Sequence, residues 1–367
     1  MTGRRLLRRW LLAAVMLLGF GVCALVLAAT IGVETGGQNA LLALLVAALP
    51  LGVVLPCFLW LDRFEAEPAG LLLMALAWGA LVASTVALLL NTGSLVLLRE
   101  VVQQPMTVGP VVVAPVVEES VKGLGVLLIL LFRGREFDGI VDGLVYAGVV
   151  AAGFAFAENV LYLGRALGEG GESLAVVFFL RGVVGPFAHP LFTICTGIGL
   201  GVAAGSRRAA VRVGAPTLGL LLAMALHAMW NLSTVTGLRG FFSLYVVLQL
   251  PVFLAAVGLA VWARRREGHL IAVHLTPYAD AGWLDDHDLD MLGSMSARRR
   301  ALAWARSTGG RPGLEAMRGF QDAASELAML RMRAVRGAAH GPTGPEEHRL
   351  LGVLVTQRAR LAGQRQG

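Results

Sequence analysis

The sequence predicts an all-α fold: a polytopic membrane helical bundle of about eight transmembrane helices with a helical cytoplasmic C-terminal tail. Three observations carry this. The chain is 56% hydrophobic and 15% charged, with a mean hydropathy of +0.71. Its apolar residues come in runs of about twenty, the length that crosses a hydrocarbon core. Its arginines gather beside alternate connections between those runs, as they do in membrane proteins of fixed orientation.

In chain order, Arg4, Arg5, Arg8 and Arg9 precede an apolar run from about 10 to 31. That run is too long for a signal-peptide core and no small-residue cleavage site follows, so it reads as an uncleaved first span. Further spans are expected at roughly 39–60, 70–98, 108–132, 138–163, 174–204, 214–236 and 243–263. Two of these are overlong and are expected to tilt or break. The implied division is 1–107 for the N-terminal membrane helices, 108–236 for a four-span core, 237–266 for the last membrane helix and 267–367 for the tail.

Both termini and the even-numbered connections carry Arg4, Arg5, Arg8, Arg9, Arg63, Arg133, Arg135, Arg207, Arg208, Arg212, Arg264, Arg265 and Arg266, whereas the other side has only Arg99, Arg165 and Arg239. The expected location is the cell membrane, multi-pass, with both termini cytoplasmic. Seven spans with a re-entrant segment would move the C-terminus outside. The pI near 10.1 and net charge of +7 would suit nucleic acid, but arginine beside spans and in the tail is explained by a membrane surface. The expected partner is therefore the lipid bilayer, with no nucleic acid. Cys23, Cys57 and Cys195 fall inside expected spans without metal-ligand spacing and read as small apolar packing residues.

The tail shows helical spacing over 285–306, 314–335 and 346–361, separated by Gly309–Gly313 and Gly341–Pro345. Asp285, Asp286, Asp288 and Asp290 lack the glycine and terminal glutamate of a calcium loop and read as a solvated helix start. No catalytic constellation stands out in the tail, which reads as an accessory or docking segment.

The chemistry lies in the spans. Glu118, Glu119 and Lys122 interrupt the run 108–132, and Lys122 is the chain's only lysine. Each ionised side chain near a bilayer centre costs roughly 2.5–3.5 kcal/mol, so three within five residues need partners and a purpose. At helical spacing Lys122 reaches either glutamate, so the two carboxylates are expected to have different jobs. Glu158 follows Phe154 by four residues and precedes Asn159; alone, it could snorkel to the interface or cap a helix. His189 lies beside Pro186 and Pro190, where a kink is expected to face a site. His227 and Asn231 share one face of the seventh span, as an interhelical hydrogen-bonded pair would. Arg181 can pair with a carboxylate or reach the interface.

With a rise of about 1.5 Å per residue, Glu118, Glu158 and His227 fall roughly 8–15 Å below the outer boundary, with His189 deeper. There is no serine in a nucleophile elbow and no Gly-x-Gly-x-x-Gly loop opening a helix after a strand. The chemistry left is carboxylate and histidine activation of water, with or without a metal ion. A proton-coupled transporter is the alternative of another class, but the charged residues crowd the fourth to seventh spans with no counterpart in the first three, unlike paired transporter halves.

The combination Glu118-Glu119-x-x-Lys122, Phe154-x-x-x-Glu158-Asn159, His189 and His227-x-x-x-Asn231 resembles PrsW-type intramembrane proteases, related to the CAAX-protease and bacteriocin-processing group. The resemblance covers about 108–231. It implies hydrolysis of a peptide bond in a membrane-anchored protein such as an anti-sigma factor, with a CAAX-type processing protease of lipidated or peptide substrates as the nearer alternative. By the same resemblance Glu118 activates water, and Glu158 stands where CAAX-type relatives have a histidine. His227 and Asn231 steady the oxyanion or the water, His189 completes the site, and Glu119 with Lys122 is the supporting pair. Glu118, Glu158, His189 and His227 could hold a divalent metal such as zinc, or work without one. A reporter enzyme fused after Arg266 is expected to be active only as a cytoplasmic fusion, and activity confined to the outside would overturn the orientation.

Overall fold

The computed structural model describes residues 3–64, 66–134, 136–336 and 343–363, and side chains from residue 10 on except that of residue 12. The side chains of Arg4, Arg5, Arg8 and Arg9, and residues Arg135, Gly341 and Pro342, all used above, lie outside the described residues. Every regular element among the described residues is helical. The chain divides into two compact units, Met1–Trp60 with Glu67–Ala256, and Leu61–Ala66 with Val257–Gly367.

In the first unit α1 (Gly3–Thr35) and α2 (Gly37–Leu61) are followed by α3 (Ala69–Val101). Next come α4 (105–132) and α5 (Ile140–Glu169). The sixth expected span is two helices: α6 runs from 171 to 184, the chain breaks at 185–187, and α7 is Ala188–Ala204. Pro186 supplies no backbone N–H there, which is why the helix cannot run through. The unit closes with α8 (Ala209–Val235) and the start of α9 (Gly237–Asp280), inside which the unit boundary falls.

Seven helical stretches among the described residues are long and apolar enough to cross a membrane. Helix α4 has the length as well but carries Glu118, Glu119 and Lys122, all buried, so it is the eighth helix of the expected set. It packs against α3, α5, α7 and α8, and this enclosure shields its charges from lipid.

Helix α5 is apolar and buried all round from Gly143 to Phe154, the pattern of a central helix, with Glu158, Asn159 and Arg165 following toward its C-terminal end. Its contact with α7 is backbone to backbone. A Cβ on Gly143 would come within 2.0 Å of the Gly197 carbonyl oxygen, and one on Gly197 within 2.0 Å of the Gly143 oxygen. Lipid tails offer no hydrophobic drive for helices to associate, so close approach through small residues supplies the packing energy.

The second unit has its own core, in which Phe64 packs with Ile271, Leu275, Phe320 and Leu327. Buried Arg298 donates to the Phe64 carbonyl at 3.1 Å, the Gln321 carbonyl at 2.7 Å and Ser325 Oγ at 2.8 Å. Beyond α9 this unit contains α10 (Asp286–Leu292), α11 (Met295–Arg336) and α12 (Gly344–Gly363). The first expected tail helix is therefore split at Gly293–Ser294. Asp285 caps α10 by accepting from the Asp288 N–H at 2.7 Å, so the acidic cluster does open a helix. The expected break at 309–313 narrows to a kink at Gly310, whose φ of 60° is open to glycine at little cost.

Gly197→Ala is expected to destabilise the protein by about 1–3 kcal/mol, because the added methyl must force α5 and α7 apart. Gly214→Ala, with open space around it, should be neutral or slightly stabilising. Thermal unfolding in detergent compares the two, and equal stability would refute the close-packed seam.

Candidate active site

Four helices bring the polar groups together. Glu118, Glu119 and Lys122 come from α4, Phe154, Glu158 and Asn159 from α5, His189 and Thr193 from α7, and His227 and Asn231 from α8. Arg181 comes from a π-helical turn, Phe179–Val184, at the end of α6. Such a turn adds a residue to the helical repeat and re-aims the side chains that follow. A cavity of about 520 Å³ is lined by Glu118, Glu158, Arg181, His189, His227 and Asn231, among others.

The two adjacent glutamates have unlike surroundings. Glu119 is fully buried and fully engaged: Lys122 Nζ lies 2.5 Å from Oε1, His227 Nδ1 lies 2.9 Å from the same oxygen, and Thr193 Oγ1 donates to Oε2 at 2.8 Å. Lys122, equally buried, also lies 3.2 Å from His189 Nδ1 and 4.4 Å from the centre of the Phe154 ring. Glu118 accepts from Asn91 Nδ2 at 3.1 Å through Oε1. Its Oε2 is buried, has no hydrogen-bond partner and stands 3.7 Å from His227 Nε2.

These contacts fix the tautomers of both histidines. A carboxylate can only accept, so His227 Nδ1 donates to Glu119 and Nε2 keeps its lone pair toward Glu118. An ammonium can only donate, so His189 Nδ1 accepts from Lys122 and Nε2–H donates to Glu158 Oε2 at 2.9 Å. Arg181 also bonds Glu158 and donates through Nε to Asn159 Oδ1 at 2.7 Å, with its guanidinium 4.2 Å from the centre of the Tyr162 ring. Asn231 Nδ2 donates to the Pro110 carbonyl at 2.7 Å. His227 stacks on Phe192 and meets His189 edge to face, which limits ring rotation.

Donor atoms of Glu118, His189 and His227 lie within 4.8 Å of one another, a grouping able to hold a metal ion. Glu158 sits behind His189, its carboxylate shared between that ring and Arg181. All the residues singled out from the sequence thus meet at or beside one cavity. Asn91 and Thr193 were missed, because a lone asparagine or threonine in an apolar helix carries no spacing signal.

Residues 67–256 match a family described as PrsW family intramembrane metalloprotease. Protease PrsW of Bacillus subtilis is 28% identical over 232 residues, covering 63% of this chain and 99% of that protein. Protease PrsW of Geobacillus kaustophilus is 30% identical over 162 residues, 44% of this chain and 67% of the relative. That of Oceanobacillus iheyensis is 35% identical over 123 residues, 34% of this chain and 51% of the relative. No solved structure matches the chain significantly.

Removing one member of a buried ion pair strands the other, which costs about 3–5 kcal/mol. Glu119→Gln and Lys122→Met are each expected to lower thermal stability by that order, and the double variant to regain much of it. Wild-type stability in Glu119→Gln would show that the pair does not hold the site together.

Proposed function

The chain belongs to the PrsW family of intramembrane metalloproteases, and from that premise we propose that Glu118 is the base with which this multi-pass membrane protease cuts a peptide bond of a membrane-anchored protein. The observation that carries the assignment is the contrast between neighbours: every oxygen of Glu119 is taken, while Glu118 Oε2 is unpartnered beside the cavity. A base needs an oxygen free to take a proton, and a structural carboxylate does not.

In this reading Glu118 Oε2 accepts a proton from water as the water oxygen bonds to the scissile carbonyl carbon. The same carboxyl then returns the proton to the departing nitrogen as the C–N bond breaks. His227, locked by Glu119, offers Nε2 as an acceptor that helps orient the water. Asn231, braced on Pro110, donates to the carbonyl oxygen as negative charge builds there. His189 and Arg181 hold Glu158 in place, and Lys122 with Glu119 forms the buried frame. The apolar wall from Leu88, Leu95, Val113, Leu161 and Leu180 suits a transmembrane segment as substrate, such as that of an anchored regulator like an anti-sigma factor.

The residues present fit a metal ion. Glu118 Oε2 is an orphaned buried acceptor, and His227 has the arrangement of a metal-binding imidazole, with Nδ1–H on a carboxylate and Nε2 open. Glu118 Oε2 and His227 Nε2 would hold the ion, zinc being the choice that suits carboxylate and imidazole, with Glu158 behind them. His189 would join by giving up its bond to Lys122 or Glu158, and Glu118 would then serve as ligand in place of base. Bound there, the ion would supply a more acidic water and a polarised carbonyl. The transporter reading is not favoured, since the family match and the enclosed base both point to hydrolysis. Both termini are assigned to the cytoplasm, in keeping with an even number of crossings and the arginine bias.

Glu118→Gln, which preserves volume, is expected to abolish cleavage and leave the unfolding temperature unchanged. Terminus-resolved mass spectrometry of membrane fragments from cells making either form reads this out, and identical fragment sets would overturn the assignment. Chelation of the purified protease followed by zinc separates the two roles of Glu118: activity retained in chelator leaves it the base and excludes the ion, whereas activity lost and then restored by zinc makes it a ligand.

A further inference from the structure

Asn91 lies on α3, outside the helices that carry the carboxylates and imidazoles. Its amide has two ends in different situations. Nδ2 donates to Glu118 Oε1 at 3.1 Å. Oδ1 is buried without a hydrogen-bond partner, and so is Glu118 Oε2. Both residues line the cavity.

An unmade hydrogen bond at a buried acceptor is costly, and a donor entering the cavity relieves it. Water supplies such a donor to Glu118 Oε2. For Asn91 Oδ1 the donor that the reaction brings is a backbone N–H. A transmembrane helix must unwind locally to expose a peptide bond, and its freed N–H groups then have no water to bond in the apolar phase.

Resting on the reading of Glu118 as the base, we propose that Asn91 both positions that base and binds substrate. Its N–H holds Glu118 Oε1, so that Oε2 is the oxygen turned to water. Its Oδ1 accepts a hydrogen bond from a backbone N–H of the unwound strand near the cut. The ligand recognised is thus peptide backbone rather than a side chain, which makes local unwinding, and not residue identity, the property selected at this point of the cavity. The third span, which carries none of the charged motif, becomes part of the active site.

The test uses the full-length protein in lipid nanodiscs and a synthetic single-span peptide bearing a cleavage site recovered in the fragment comparison above. A second set of peptides replaces the amides around the cut, one at a time, by esters, which lack the N–H. Asn91→Ala is expected to lower kcat by about 10²-fold, the cost of a misplaced reacting group. In the wild type one ester position should lower kcat/KM by roughly 2- to 10-fold, the worth of one neutral hydrogen bond. That position should cost Asn91→Ala nothing further. Asn91→Leu, of similar size and lacking both the donor and the acceptor, should show the low kcat with no ester penalty, and it carries the test if Asn91→Ala does not fold. Gly93→Ala, on the same helix with open space around it, should behave as wild type.

Wild-type kcat and KM in Asn91→Ala would overturn the inference, as would ester penalties equal in wild type and Asn91→Ala. Cleavage lost in Glu118→Gln but intact in Asn91→Ala removes this inference alone. Cleavage that survives Glu118→Gln removes the assignment of the base, and with it the ground for this one.

Discussion

Burying the Lys122 ammonium inside an apolar bundle is the constraint on which the site depends. An uncompensated charge there would cost several kcal/mol, so every direction around Lys122 has to offer an acceptor or a ring face. Glu119, His189 and Phe154 meet that demand from three helices. Glu119 then needs its own remaining partners, which Thr193 and His227 provide. The network therefore ties α4, α5, α7 and α8 at one depth before any question of catalysis arises. Glu118, one residue earlier, points about 100° away around the helix and so escapes the network into the cavity.

Such a network tolerates little play, and the backbone contacts supply the stiffness. The Gly143–Gly197 approach lets α7 lie directly on α5, which carries His189 and Thr193 into reach of α4. Three π-helical turns adjoin the site. Trp78 leads one and donates to the Val121 carbonyl at 3.0 Å; Pro110, in the second, accepts from Asn231; Arg181 lies in the third. Each turn exposes a carbonyl or shifts a side chain that an unbroken α-helix would have aimed elsewhere.

Much of the site was legible because polar groups are expensive in a membrane. Glu118, Glu119, Lys122, Glu158, Arg181, His189 and His227 stand out against apolar runs without any knowledge of neighbours. The same economy says nothing about Asn91 or Thr193, whose types are ordinary within membrane helices and gain meaning only from what they touch. In the tail, helical spacing and glycine–proline punctuation marked the helices, but not the split at Gly293–Ser294 or the narrowing of the second break to Gly310. Both turn on local residue types, Gly293 ending α10 with Ser294 Oγ accepting from the Ala297 N–H at 3.5 Å, and Gly310 taking a positive φ, among many other glycines that helical spacing alone does not rank.

The sequence by itself determined that the chain crosses a membrane repeatedly as helices, that its ionisable residues would converge, and that the two adjacent glutamates would differ, because hydropathy, helical period and charge balance are local properties. Residue spacing did not decide which glutamate Lys122 pairs with; the resemblance implied Glu119, and the tertiary structure supplies the physical reason. Lys122 stands three residues from one and four from the other, and helical spacing permits either pairing. The choice falls to Thr193 and His227, which arrive from helices distant in the chain to complete Glu119 and leave Glu118 Oε2 open.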